Sequence, residues 1–347
     1  VMKRFWPLAL LVIFVLAVLA VGTHLEENRQ KERSAEPVRA TLTVYTDLPN
    51  SVTSLLAQQY EMLYHVRIQM MPLTEDQLAA RMTLPSAEQS GDLVLTSRDN
   101  LALAAKYKQF KPVLSEGVDE ISDRFKNPDA LWVGVWYDPI IFAQSNSFYN
   151  DKGRYITTWH SLALPGTWSV VMTDFVASRT AANMLYSFVE RYGEQEGMQY
   201  FVNLKPHVVQ YAKFLSTPVR LASLGETDIG IGNYSDGQQY ISHKYPVKII
   251  FPADGTPYYL TGVGLLQSSK NVEESTRFIK WLLSKQAAQF LTDNGIFFVY
   301  TNPEIPRPTD SLGREPALFD TVGGYTEDGK KALLDKWISQ VRFRKDS

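Results

Sequence analysis

Asp92-Leu93-Val94-Leu95-Thr96 is the stretch on which the fold turns. It is a nearly continuous apolar run without a polar face, and a strand of that kind belongs in a parallel sheet covered on both sides. Its neighbours alternate in type. Upstream, Thr41-Leu42-Thr43-Val44-Tyr45 reads as a β-branched strand closed by Asp47-Leu48-Pro49-Asn50, after which Ser51 caps a helix with Val52, Leu55, Leu56 and Leu63 on its apolar face. Residues 66–70 form a second strand, and Thr74 with Gln77 makes a capping box for a helix ending about residue 84. Strands and helices alternating in this way specify an α/β fold with parallel strands.

Downstream the pattern is interrupted and then resumes. Trp132-Val133-Gly134-Val135-Trp136-Tyr137 and Ile140-Ile141-Phe142-Ala143 are two strand-like runs separated by Asp138-Pro139. A second α/β block follows, with a strand at 168–172, helices at 180–192 and 194–204, and strands at 228–232 and 247–251. Residues 258–266 form a return strand, and 272–283 a helix burying Phe278, Ile279, Leu282 and Leu283, which 286–292 continues. Three prolines extend residues 302–308. Leu333, Leu334, Trp337, Ile338 and Val341 then mark an amphipathic helix within 327–341, expected on the surface of the first block.

The 347 residues are 45% hydrophobic, enough for one large domain or two of ordinary size. With Lys+Arg 35 against Asp+Glu 37 the net charge is -2, so no basic field exists to hold nucleic acid. Cys 0 removes disulfides, thiolate metal sites, cysteine nucleophiles and a lipid-modified cysteine from this sequence. His 5 and the lack of H-E-x-x-H, G-x-S-x-G and G-x-x-x-x-G-K patterns leave no catalytic constellation, so neither an enzyme nor a metal or cofactor site is expected.

Lys3 and Arg4 precede an apolar run from Phe5 to Val21 that ends in the small residues Ala20-Val21-Gly22. Residues 1–23 therefore read as a cleaved signal peptide or as an uncleaved membrane anchor, and 24–39 as a charged spacer. Either way the remainder is expected outside the cytoplasm, in the periplasm or on the outer face of the cytoplasmic membrane.

In order and spacing, these features resemble the type 2 periplasmic solute-binding proteins of ABC importers, in the subgroup of ferric-ion, thiamine, phosphonate and sugar-phosphate binders. The resemblance runs through Leu42-Thr43-Val44-Tyr45-Thr46, Gly91-Asp92-Leu93-Val94-Leu95-Thr96-Ser97, Thr158-Trp159-His160-Ser161-Leu162, Ser178-Arg179-Thr180-Ala181, Gly225-Glu226-Thr227-Asp228-Ile229-Gly230 and Pro252-Ala253-Asp254-Gly255. It implies two α/β lobes with a ligand cleft between them, joined by crossovers near 137–143 and 252–262. The first lobe would comprise 40–137 and 258–300, the second 138–257, with 301–347 a C-terminal extension carrying the surface helix.

Strand ends and helix N-termini then face the cleft, where loose backbone N–H groups favour an anion. In the first lobe the candidates are Thr46 and Asp47, though Asp47 also suits a turn with Pro49 and Asn50, and Ser97 and Arg98 ahead of a helix capped by Asp99. Arg98 is the candidate anion clamp because its fork matches carboxylate or phosphate; a solvated arginine is the plainer alternative. In the second lobe Ser178, Arg179 and Thr180 open a helix, either as an anion site or as a simple cap, and Ser216 and Thr217 are a weaker case. Tyr137 and Tyr234 are candidate cleft aromatics. The family's ferric binders carry adjacent tyrosines where Asn233-Tyr234-Ser235 has one, so the resemblance points from bare ferric ion towards a ferric complex or a small anion. The implied partners are an ABC permease and ATPase, or a membrane sensor kinase if the chain is a tethered receptor. A monomer is expected.

Overall fold

The computed structural model describes residues 38–152, 155–321, 323 and 325–343. The signal or anchor segment and nearly all of the spacer lie outside the described residues. Within them, no helix is long and apolar enough to cross a membrane.

The first lobe is built on β1 (Ala40–Thr46), flanked in parallel by β2 (Val66–Pro72) and β3 (Leu93–Ser97). Leu93, Val94 and Leu95 are each 0% exposed, as their run without a polar face demands. β4 (Phe110–Lys111) pairs antiparallel with β10 (Tyr258–Leu266), which also lies between β3 and β5 (Trp132–Ser145), antiparallel to both. β11 (Val299–Tyr300) pairs with β5 on its other side. The second lobe has a parallel set of its own, β6 (Val170–Thr173) between β7 (Val208–Ala212) and β8 (Ile229–Asn233). β8 and β9 (Val247–Ile250) flank the far half of β5, both antiparallel to it.

One strand thus belongs to both lobes. The two runs expected on either side of Asp138-Pro139 are a single strand of 14 residues, buried throughout. Pro139 ends the pairing with β10 and Ile140 begins the pairing with β8. A residue without an N–H donor is tolerated where one ladder gives way to another.

Other expectations shift locally. The capping box of Thr74 and Gln77 is present on the helix Glu75–Met82. Ser51, by contrast, lies inside the helix Asn50–Tyr64, which starts after Pro49 without a side-chain cap. Asp99 caps nothing: the helix Arg98–Lys106 has Ser97 at its N-cap position. Ser284 accepts from the Ala287 N–H and starts a new helix, Lys285–Asp293, rather than a continuation.

The larger correction concerns the C-terminal helix. The apolar stripe of Glu327–Trp337 packs on the second lobe rather than the first, with Leu333, Trp337 and, just beyond the helix, Val341 inside the core around Phe175, Phe188 and Phe201. The chain is led there by Phe319, whose N–H donates to the Thr256 carbonyl at 2.9 Å and whose ring meets Phe188 and Tyr192. An apolar stripe settles where an aromatic slot is open to it, and in this molecule that slot is on the second lobe.

The helix Thr217–Ser223 crosses β8 at van der Waals range. A Cβ on Gly230 would stand 2.2 Å from the Pro218 carbonyl oxygen, which is backbone and cannot swing aside. Gly230→Ala is therefore expected to lower stability by about 1–3 kcal/mol in urea melts. An unchanged midpoint would show that the helix can lift off the strand.

Candidate functional site

Between the lobes lies a cavity of about 340 Å³, small for a ligand site but within range. The parallel strands of the first lobe end on it. Asp47, Leu48 and Pro49 follow β1, Glu75 opens the helix after β2, and Ser97, Arg98 and Asp99 follow β3. Ligands of open α/β sheets sit outside the carboxyl ends of the strands, and this cavity is so placed. The opposite wall is one face of the helix Arg179–Tyr192, where Thr180, Asn183, Ser187 and Glu190 recur at helical spacing beside Tyr186. Tyr258, Tyr259, Leu260 and Thr261 come from β10, and Gly323, Tyr325 and Lys330 from the C-terminal extension. A larger groove, about 640 Å³, runs between Met198 and Gln340. It is open and lies wholly on the second lobe, so the inter-lobe cavity is the functional candidate.

Four of the residues singled out in the sequence line this cavity: Asp47, Ser97, Arg98 and Thr180. Asp47 accepts from Thr96 Oγ1 at 2.8 Å and from Asn100 Nδ2 at 3.2 Å. Burial pushes its carboxyl above the ordinary range, and those hydrogen bonds partly offset the rise. Ser97 Oγ is buried and has no hydrogen-bond partner among the described residues. Arg98 donates to the Thr321 carbonyl at 2.7 Å, and its guanidinium lies 5.5 Å from the Tyr258 ring centre. One nitrogen of the expected anion clamp is therefore held by the protein's own backbone.

The remaining candidates lie elsewhere. Thr46 is fully buried at the end of β1, accepting from the Leu48 N–H. Ser178 caps its helix by accepting from the Ala181 N–H at 3.1 Å. Arg179 bridges Asp76 of the first lobe, at 3.0 Å, and Glu327 of the C-terminal helix, at 3.1 Å. Ser216 stands at the N-cap position of the helix Thr217–Ser223 without a side-chain capping bond, and the cavity reaches Leu215 but neither Ser216 nor Thr217. Tyr137 is stacked on Phe125 at 5.1 Å and Tyr234 packs on Phe251 at 5.6 Å, so both supposed cleft aromatics are core residues. Burial pushes both phenols up to about 12, where neither ionises at neutral pH. Their rings are drawn inward because Tyr137 lies on an all-buried strand and Tyr234 on the first helical turn under β9.

The sequence does not single out Glu75, Lys330 or the lining face of Arg179–Tyr192 beyond Thr180, and it shows Tyr258-Tyr259 only as an adjacent pair on the return strand, out of position for iron. Glu75 has its carboxyl pushed up to about 7, first by burial and next by Asp47; Arg179 pulls it down, and Asp99 and Asp76 push it up. Lys330 Nζ pairs with Asp99 at 2.7 Å, tying the C-terminal helix to the first lobe. The spacing of Thr180, Asn183 and Ser187 was a readable signal for the helix face. Lys330 carried none, because it is some 230 residues from its partner.

Known proteins share this architecture. The family model described as bacterial extracellular solute-binding protein matches residues 42–297. A Haemophilus influenzae protein described only as uncharacterized is 28% identical over 258 residues, covering 71% of this chain and 75% of its own. The Fe(3+)-binding periplasmic protein of Serratia marcescens is 21% identical, covering 64% and 68%. Among solved structures, the periplasmic binding protein AfuA from Actinobacillus pleuropneumoniae, with fructose-6-phosphate bound, superposes with TM-score 0.70 at 23% identity, covering 88% of this chain and 100% of that one. Iron-bound HitA from Pseudomonas aeruginosa gives TM-score 0.72 at 15% identity, covering 86% and 99%.

Proposed function

This chain belongs to the bacterial extracellular solute-binding proteins, and we propose that it is the receptor of an ABC importer, closing on a small polar solute in the inter-lobe cavity and handing it to a membrane permease. One observation carries the reading: residues from both lobes, Asp47 and Glu75 on one side and Thr180 and Asn183 on the other, line a single cavity of about 340 Å³. A solute touching both walls favours the closed form by its extra contacts there, and a permease can read that form.

Of the two solutes expected from the sequence, the anion had Arg98 as its candidate clamp beside the N–H groups of the strand ends and helix starts. One of the Arg98 guanidinium nitrogens is already held by the Thr321 carbonyl. The ferric complex is supported by relatives described as an Fe(3+)-binding periplasmic protein and an iron uptake protein.

The reading is tested by melting the purified protein against a library of small solutes. One of them at a hundred times its Kd is expected to add about 2.7 kcal/mol of stability. If no solute raises the Tm, the receptor reading fails. If the hit is an anion and Arg98→Ala leaves its affinity unchanged, Arg98 is not its clamp.

A further inference from the structure

The charge of the solute follows from which cleft groups are already satisfied. Four carboxylates line the cavity, Asp47, Glu75, Asp99 and Glu190, against two cations, Arg98 and Lys330. Lys330 is ion-paired with Asp99 at 2.7 Å and Glu327 at 3.5 Å, whereas Arg98 donates to the Thr321 carbonyl at 2.7 Å, a neutral acceptor that leaves its charge uncancelled. Arg179, at the edge, is divided between Asp76 and Glu327. Glu190 accepts the Gly323 N–H at 3.2 Å. Glu75 alone among these four carboxylates has neither a hydrogen bond nor an ion pair among the described residues. Ser97 Oγ, buried on the same wall, also lacks a partner there. With Asp99 set against Lys330, three carboxylates remain against the single charge of Arg98, so the cleft's excess is negative.

The rest of the lining agrees. Tyr186, Tyr258, Tyr259 and Tyr325 give the cavity ring surface, and a cation over such a ring is attracted to it. The protein's own cations already use two of these rings, Lys330 at 5.9 Å from Tyr186 and Arg98 at 5.5 Å from Tyr258. No group of three or more His, Cys, Asp or Glu among the described residues is placed to hold a metal ion. Rings beside carboxylates suit a cation that carries carbon.

We propose that the cleft selects a small organic cation, an ammonium or guanidinium compound, with its charge on Glu75 and Asp47 and its carbon skeleton against the tyrosine rings. The inference rests on the receptor reading above and adds the sign of the ligand.

Proton linkage gives the inference a signature. Glu75 faces Asp47 from the β1 loop, Asp99 and Arg179 from the facing helices, and Asp76 on its own helix; Lys330, Glu327 and Glu190 complete the surrounding charges. With its carboxyl pushed up to about 7, Glu75 holds a proton in part of the unliganded population at neutral pH. A cation favours the carboxylate and expels that proton, so it binds more tightly as pH rises. An anion on this wall would show the reverse.

The experiment is calorimetry on the intact protein at pH 6 and pH 8. The cationic probes are 1,4-diaminobutane, agmatine and choline, set against inorganic phosphate, fructose 6-phosphate, glucose and ferric citrate. At least one cationic probe is expected to bind roughly tenfold more tightly at pH 8, as Glu75 passes from mostly protonated to mostly ionised. It should also release protons to the buffer, and Glu75→Gln should flatten the pH dependence. The proton count on the unmodified protein stands whether or not that variant folds. Silence of all cationic probes overturns the inference, and if an anionic, neutral or ferric probe then binds, the receptor reading survives without it. Cation binding with no proton release and no pH dependence removes Glu75 from the site and overturns the assignment as stated.

Discussion

Trp337→Ala is expected to lower the unfolding free energy by about 3–5 kcal/mol, the range for emptying a fully buried aromatic site. Trp337 is 0% exposed, 4.8 Å from the ring of Phe175 and 5.7 Å from that of Tyr211. Its indole N–H has no partner among the described residues, so the loss is packing and not hydrogen bonding. Collapse around the hole is opposed by the ring network behind it, in which Phe175, Phe201 and Phe188 meet at 5.1–5.2 Å. Leu334→Ala, one turn earlier and only partly buried, serves as the control and should cost much less. Urea melts of the two variants decide the matter. A loss for Trp337→Ala of under about 1 kcal/mol would mean that the C-terminal helix is an appendage and not part of the second lobe's core. The outcome bears on the cleft, because the same helix carries Lys330 to Asp99.

Much of the scaffold could be read from local pattern. The apolar run Leu93-Val94-Leu95 and the capping residues Thr74 and Gln77 each announce their structure within a few positions; the capping box is found as read, and the run is a buried strand with the parallel β1 on one side and the antiparallel β10 on the other. Placement across the molecule could not be read in the same way. The stripe of Leu333, Trp337 and Val341 says that the helix has an apolar face, but any exposed aromatic slot would satisfy it; only the path through Phe319 selects the second lobe. The cleft shows the same division. Strand ends pointed to Asp47, Ser97 and Arg98, because chain direction in a parallel sheet fixes where those loops emerge. The sequence could not reveal that Arg98 would be taken by Thr321, a contact spanning 223 positions. Tyr137 and Tyr234 failed as cleft residues for a related reason. A tyrosine near a strand end can turn its ring to the ligand or to the core, and the neighbours that decide, Phe125 and Phe251, come from elsewhere in the chain.

Asp138→Asn is expected to stabilise the protein above pH 7 by up to about 4 kcal/mol, with the gain fading as the pH falls. Asp138 sits on β5 one residue before the ladders change, on the strand that joins the lobes. Its carboxyl accepts the Ser235 N–H at 2.9 Å and the Ser235 hydroxyl at 2.5 Å, near the start of the helix Tyr234–Ser242. Burial nevertheless pushes it up to about 7, against the pull of the Ser235 bonds and with a further push from Asp236. The folded chain therefore holds this proton more tightly than the unfolded chain, whose carboxyl titrates near 3.8. Below that pH both forms are protonated and there is no penalty. Between there and about 7 the folded state loses close to 1.4 kcal/mol per pH unit, and above 7 the whole cost of a buried charge is present. An amide of the same shape keeps an oxygen for the Ser235 N–H and offers an N–H to its hydroxyl, without the charge. Only the difference between variant and parent isolates Asp138, because other carboxyls raised by burial, Glu75 and Asp47 among them, respond to pH in both proteins. Urea melts at pH 5, 6, 7 and 8 should show that difference rising and then levelling off. A difference independent of pH would mean that the Ser235 hydrogen bonds keep the carboxylate ionised and that the strand between the lobes carries a permanent charge.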